Sequence, residues 1–400
     1  MDVLLISNYW HFEHEKFSSR YLTIANMACD EKIDVEVVTS SFYHATKKQR
    51  NRDDKFDEYK FKTTLIYEPG YKKNIDLKRI ISHYHFSKNV LKYLENRKKP
   101  DVIYLFVPPL GLAENIVEYA NKNDIKVIID VLDLWPEAFN MVLPLPKILS
   151  KLLFPLKCKA NKVYANADGV VAVSDTYLQK VLNKSKKCNE GLSIYIGAEG
   201  EIFDEFAKKQ IYEKPDDEIW IAYIGMLGTS YDLCCIMDAI SLLEDDIKEK
   251  VVFQIMGDGP QRKDFEKYAS EKGIKCIFSG KMPYDKMVKK LCLCNIAVNP
   301  IKSSSASSII NKVADYAAAG LPVINTQKSI EYRRLVDNYN IGFNTETSDP
   351  HEIKKYIEQL AIDEEMRKKM GDNNRILFEE KFDRKKSYYE IIEKIKACTK

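Results

Sequence analysis

Ile219-Trp220-Ile221-Ala222-Tyr223-Ile224-Gly225-Met226-Leu227-Gly228-Thr229-Ser230-Tyr231-Asp232 passes from an apolar strand pattern into a glycine-bearing turn, and the helix-like run Cys235 to Leu243 follows at once. Strand, glycine turn and helix in that order are the repeating unit of a parallel sheet covered on both faces. Glycines at such a turn let backbone N–H groups approach a phosphate, and the helix N-terminus adds a favourable dipole. Plain turn chemistry asks for the same residues, so this stretch alone leaves both readings open.

The rhythm continues outward from there. Downstream come Val251-Val252-Phe253-Gln254-Ile255-Met256, Ile274 to Phe278 and Ile296 to Asn299; upstream come Val3 to Ser7, Val35 to Thr39, Val102 to Phe106, Val127 to Val131 and Val170 to Ser174. Helix-like segments such as Ser19 to Cys29 and Leu112 to Lys122 separate them. A chain of 400 residues exceeds one ordinary core. The expected fold class is therefore α/β, with two doubly wound domains over residues 1–197 and 198–382 and a linker near Ile196 to Gly200. Residues 383–400 are expected to form a C-terminal helix that packs back on the first domain. Lys47 to Lys62, dense in charge and poor in aliphatics, is expected to be a mobile loop. Ligands of such sheets bind beyond the carboxyl ends of the strands, which predicts two rims facing each other across a cleft.

Lys and Arg number 62 against 59 Asp and Glu, a balance too even for a nucleic-acid binder. The nine Cys are scattered, and the pairs Cys234-Cys235 and Cys292-x-Cys294 lie in apolar stretches without a nearby His, which reads as core rather than a zinc site. The N-terminal run Met1 to Ile6 lacks the basic leader of a secretory signal, and no run reaches the ~18 apolar residues a bilayer span needs. A cytoplasmic setting is the expectation.

Two further pieces sit just past strands. Met256-Gly257-Asp258-Gly259-Pro260 is one. The other is Asn311-Lys312-Val313-Ala314-Asp315-Tyr316-Ala317-Ala318-Ala319-Gly320-Leu321-Pro322-Val323-Ile324, a helix with small residues on one side that ends at Gly320. Lys312 and Asp315, three apart, share a helical face. A cation for phosphate beside a carboxylate for ribose hydroxyls makes a nucleotide grip, whereas a surface ion pair would look the same in sequence.

In order, these pieces resemble a retaining glycosyltransferase of family 4, whose GT-B fold comprises two Rossmann-like domains. Phe253 to Pro260 is similar to that family's strand and GDGP turn, Phe278-Ser279-Gly280-Lys281-Met282-Pro283 to its FxGxxP loop, and Asn311 to Ile324 to its nucleotide-gripping helix. Asp130-Val131-x-Asp133-Leu134-Trp135-Pro136-Glu137 resembles a subgroup that builds surface polysaccharides and lipid-linked glycans. The resemblance implies that Asp315 holds the ribose, that Gly280, Lys281 and Met282 meet the base, and that Gly225, Gly228 and Thr229, with Gly257 and Gly259 in the neighbouring turn, line the diphosphate. It places Asp133 beside the reacting sugar, where the alternative is an N-cap for the turn at Trp135-Pro136. Two departures stand out. Ser307 occupies the place of the family's first glutamate, and Met226 that of an Arg, which leaves Lys312 and backbone N–H groups to meet the diphosphate.

The first domain is expected to bind the acceptor through Arg20, His44, Tyr71 and Asn74, since rings beside hydrogen-bonding groups suit sugars. Between Ala138 and Ala167 there is no acidic residue, while Lys147, Lys151, Lys157, Lys159 and Lys162 interleave with apolar side chains such as Phe154. Residues 147–162 therefore suit an anionic membrane surface, or a core helix with solvated lysines. The implied activity is transfer of a hexosyl or N-acetylhexosaminyl group from a nucleotide sugar, with uridine as base, to a glycan or lipid-linked acceptor. No cofactor or metal is expected. An inactive GT-B-shaped partner subunit and a nucleotide-sugar epimerase are the competing readings.

Overall fold

The structure, a computed structural model, describes residues 1–15, 18–51, 56–74, 76–138, 153–302, 309–346 and 348–398. Its strands form where β-branched and aliphatic residues run without a polar break, because a central parallel strand is covered on both faces. In the first sheet these are β1 (Asp2–Ser7), β2 (Asp34–Ser40), β5 (Lys62–Ile66), β6 (Val102–Val107), β7 (Lys126–Val131), β8 (Gly169–Ala172) and β9 (Leu192–Ser193), with the small hairpin β3 (Phe42–Tyr43) and β4 (Lys48–Gln49) standing apart. The order β5-β2-β1-β6-β7-β8-β9 is parallel throughout, with Leu5 in register with both Val37 and Tyr104. Helices α1 (Arg20–Asp30), α2 (Leu77–Glu95), α3 (Leu110–Lys122), α4 (Phe154–Asn166) and α5 (Asp175–Leu182) connect these strands. α1 starts where Ser19 accepts a hydrogen bond from the Leu22 N–H, and α2 where Asp76 caps Lys78.

The second sheet holds β10 (Ile219–Ile224), β11 (Val251–Met256), β12 (Cys276–Gly280), β13 (Ile296–Asn299), β14 (Val323–Asn325) and β15 (Gly342–Asn344) in the order β12-β11-β10-β13-β14-β15, again parallel. Both sheets reverse direction of winding once, between β1 and β6 and between β10 and β13. Such a switch point splays the flanking loops apart and leaves a crevice at the carboxyl ends of the strands.

The chain divides into two compact units, residues 1–195 with 387–400, and residues 196–386. Each has a core of its own. Tyr388, Ile391, Ile392 and Ile395, the last three on the helix Tyr389–Ala397, are buried in the first core beside Leu5, Tyr104 and Ile128. Ile221, Phe253, Ile255 and Val298 anchor the second. Within Lys47–Lys62 the described residues are held rather than loose. Arg50 is buried, pairs with Glu15 and donates to the Trp10 and Ser40 carbonyls, and Phe61 is buried as well. A charged side chain that makes four hydrogen bonds inside the fold is invisible to a composition rule.

Candidate functional site

At the switch point of the second sheet, three strand ends converge on a cavity of about 360 Å³ lined by Ile224, Gly225, Met226, Met256, Gly257, Asp258, Lys281, Met282, Met287, Lys312 and Asp315. The glycines make this possible. The turn after β11 folds onto the turn after β10, with Gly225 N–H donating to the Met256 carbonyl and Leu227 N–H to that of Asp258. A Cβ on Gly257 would lie 1.8 Å from the Gly225 carbonyl oxygen, and one on Gly259 would lie 2.4 Å from that of Leu227. Only glycine permits that approach. Gly225 also holds φ at +135°, closed to most side chains.

Lys312 opens the helix α11 (Lys312–Ala318), which we number after α6 (Gly200–Lys208), α7 (Leu233–Ser241), α8 (Asp245–Lys248), α9 (Arg262–Glu271) and α10 (Tyr284–Leu291). The residue is 8% exposed, and its Nζ has no hydrogen-bond partner among the described residues. The ammonium lies 3.9 Å from the ring centroid of Tyr223 and 4.0 Å from that of Tyr231. Two opposed tendencies meet there. The ring faces favour the charged form by about 0.5–2 kcal/mol, whereas burial depresses the pKa well below the ordinary lysine value. Desolvating an ammonium costs several kcal/mol, so burial dominates and an anion within reach would restore the charge.

Asp315, one turn further on, also lines the cavity and accepts a 2.7 Å hydrogen bond from Tyr284 Oη. Burial and the neighbouring carboxylate push the Tyr284 hydroxyl well above its usual range. The phenol therefore remains a donor and fixes the carboxylate rotamer. Of the expected donor-side residues, Gly225, Gly257, Lys281, Met282, Lys312 and Asp315 come together around the cavity. Gly280 bridges Gly257 behind it, and Gly228 and Gly259 shape the turns. Thr229 is exposed away from the lining, and Ser307 lies outside the described residues.

At the carboxyl rim of the first sheet a second cluster forms. The Arg79 guanidinium, on α2, lies 5.2 Å from the Trp135 ring, 5.6 Å from Tyr71 and 5.9 Å from Tyr9. It donates to Tyr9 Oη at 2.7 Å and to the Asn74 carbonyl at 2.8 Å, while its Nε is buried without a partner among the described residues. Asn74 thus takes part through its backbone. His44 meets Tyr71 Oη through Nδ1, and His83 Nε2 meets Tyr9 Oη. Burial and then the cations Lys47 and Arg79 push His44 down to about 4; burial, Arg79 and His44 push His83 down to about 3. Both imidazoles are neutral near pH 7. Asp133 follows β7, and its carboxyl is raised by burial even though it accepts hydrogen bonds from the Leu134 N–H, Trp135 and Tyr177.

Arg20 lies elsewhere. It is 3% exposed, makes a two-pronged pair with Asp130 at 2.8 and 3.1 Å, donates to the Ile194 and Tyr195 carbonyls, and stacks over Tyr388. With its hydrogens directed at internal acceptors, it is a cross-brace of the first unit and not a contact for a bound phosphate. Lys147 and Lys151 fall outside the described residues. On α4, Lys159 and Lys162 pair with Glu114, and Lys162 also with Glu118, so two of the expected membrane-facing charges are answered by α3. No helix among the described residues is long and apolar enough to cross a membrane.

Residues 204–376 match the family "Glycosyl transferases group 1". Over these residues the chain is similar to that family. An uncharacterized glycosyltransferase of Methanocaldococcus jannaschii is 25% identical over 240 residues, 58% of this chain, and the chain spans 60% of that relative's length. A Campylobacter jejuni alpha-1,4-N-acetyl-D-galactosaminyltransferase, named for a diNAcBac-PP-undecaprenol-linked glycan, is 27% identical over 175 residues, 42% of this chain and 45% of its own. Among solved structures, Anabaena HepE in complex with UDP superposes with a TM-score of 0.70 at 13% identity, covering 99% of this chain and 100% of that one, which establishes the shared GT-B fold.

Some residues of these two clusters escape a reading of the sequence. Tyr223 and Tyr231 flank the buried lysine from β10 and the turn after it, yet in sequence they are strand and loop aromatics. Arg79 and His83 sit in the interior of a helix, and nothing local signals that their side chains join a rim built from four other segments. The i, i+4 spacing of this pair was the available hint.

Proposed function

We propose that this glycosyltransferase takes its sugar from a uridine diphosphate sugar and passes it, with retention of anomeric configuration, to a glycan or lipid-linked acceptor in surface glycan synthesis. The observation that carries the reading is the buried Lys312 amine, without a hydrogen-bond partner among the described residues, at a glycine-lined cavity where a bound anion would restore its charge. A cation desolvated there, beside backbone turns that only glycine can form, suits a diphosphate, whose developing charge it would meet as the bond to the sugar breaks. Asp315, held by Tyr284, would accept the ribose hydroxyls, and the backbone around Gly280, Lys281 and Met282 would face the base. The uridine assignment is supported by the fold's likeness to HepE, solved with UDP. The acceptor would sit on the rim of the first unit, against Tyr71, His44 and Arg79, with Asp133 orienting its hydroxyl or steadying charge at the anomeric carbon.

Thermal unfolding with UDP, UDP-glucose, UDP-N-acetylglucosamine and GDP tests the donor class, because a ligand of the folded state raises stability according to its affinity. UDP compounds should raise Tm and GDP should not. The reverse order would replace uridine with guanosine. UDP binding without transfer or hydrolysis under any acceptor would leave a partner subunit as the better reading.

A further inference from the structure

Helix α2 is two-faced, and among the described residues its outer face has no partner. With about 100° between successive residues, Leu77, Ile80, Ile81 and Tyr84 fall within one arc of about 100°, and they are 76%, 67%, 54% and 63% exposed. The opposite side carries the buried Phe86, Val90 and Leu94, together with Arg79 and His83 of the rim cluster. Singly exposed apolar residues are ordinary; four at i, i+3, i+4 and i+7 form a contiguous patch, which marks an interaction surface. The charge along this segment is mainly positive. From Pro69 to Glu95 the sequence holds six Lys and Arg against two acids, Asp76, which caps the helix, and Glu95 at its far end. Lys72, Lys73, Lys78 and Lys88 are exposed, and Lys88 falls inside the apolar arc.

We propose that the outer face of the first two turns of α2 docks on an anionic lipid leaflet, with Leu77, Ile80, Ile81 and Tyr84 entering the interface and the flanking lysines meeting lipid phosphates. A large apolar face bordered by lysines, with almost no acid, is the composition of a helix that lies in the plane of a bilayer surface. A protein partner would be expected to answer a lysine border with its own acids. The same helix turns Arg79 inward to the rim, so docking would hold that rim at the lipid surface. The inference concerns α2 alone and does not depend on the donor cavity.

Co-sedimentation with vesicles of phosphatidylglycerol and phosphatidylcholine, against phosphatidylcholine alone, at two salt concentrations tests it. The wild-type chain should bind the anionic vesicles and release progressively as salt rises. Ile80→Ser with Ile81→Ser should lower partitioning by about tenfold or more at every salt concentration. Lys72→Gln, Lys73→Gln and Lys78→Gln together should remove mainly the salt-sensitive part. These positions are exposed, so both variants should keep the wild-type Tm and UDP affinity, and a variant that loses either is replaced by Tyr84→Ser. A wild-type chain that stays in the supernatant, or α2 variants that bind like wild type, would overturn the proposal. So would light scattering that shows a dimer broken by the same substitutions, since the face would then belong to a second copy.

Discussion

In the proposed reading, Lys312 concentrates the chemistry of the donor side in one atom. Lys312→Met should weaken UDP binding by about 1.5–3 kcal/mol, roughly ten- to a hundred-fold in Kd, as one charged hydrogen bond is lost. The unliganded variant should be at least as stable as wild type, because the buried amine lacks a hydrogen-bond partner among the described residues; calorimetric titration and urea unfolding measure the two effects. The sign of the pH dependence follows from the same burial. A lysine with a folded pKa below its unfolded value binds fewer protons when folded, so its contribution makes stability rise with pH between the two values. UDP should reverse the shift and draw in a proton in that window, seen as a binding heat that depends on the buffer's ionisation enthalpy. Buffer-independent heats from neutral pH to about 10 would remove Lys312 from the anion site. His83 and His44 act at the other end of the scale. Both are depressed to about 3 and about 4. The unfolded chain therefore takes up protons that the fold refuses, and the urea midpoint should decline as pH falls from about 6.5 toward 4. His83→Gln should flatten that decline.

The turns after β10 and β11 act as one element, since each is closed by bonds to the other. Gly257→Ala must push back the Gly225 carbonyl, and with it the backbone that lines the cavity. We expect UDP affinity to drop at least tenfold with a smaller loss of stability; unchanged affinity would show that the two turns move independently. A second element is a ladder of side chains across three strand ends. Asn299, Asn325 and Asn344 are in register on β13, β14 and β15, and Asn325 accepts from Asn299 at 2.9 Å and donates to Asn344 at 2.8 Å. Asn325→Ala would take the donor from Asn344 Oδ1 and leave Asn299 Nδ2 only its longer bond to Gln327 Oε1, a loss of about 1–3 kcal/mol. Urea unfolding of that variant should show the loss, and a cost under about 0.5 kcal/mol would mean the ladder relaxes around the gap. The ladder is illegible in sequence. Asn at a strand end reads as a turn signal, and the three residues are brought into line only by parallel pairing of segments far apart in the chain.

At the scale of the molecule, each unit has its own core, so damage to one can be separated from the function of the other. Removing one partner of the buried Arg20–Asp130 pair should cost the first unit about 3–5 kcal/mol, and Arg20→Ala should leave UDP affinity in the second unit unchanged. A stable Arg20→Ala protein with a raised acceptor KM would instead return Arg20 to the acceptor site. Arg20 also shows where reading stops. A helix start after Ser18-Ser19 was legible and correct, but whether its arginine faces ligand or core depends on Asp130, 110 positions away, and on Tyr388 at the far end of the chain. The same distinction runs through the whole protein. The strands and the glycine turns at Gly225 and Gly257 could be read locally, because backbone conformation and the two-residue and 3.6-residue periods are properties of neighbours in sequence. The shared helical face of Lys312 and Asp315 could be read the same way, the two being three apart. Strand order, the aromatic bed under Lys312, the Arg79 rim and the bare outer face of α2 were decided only in three dimensions, because burial and charge pairing depend on which distant segments the fold brings within a few ångströms.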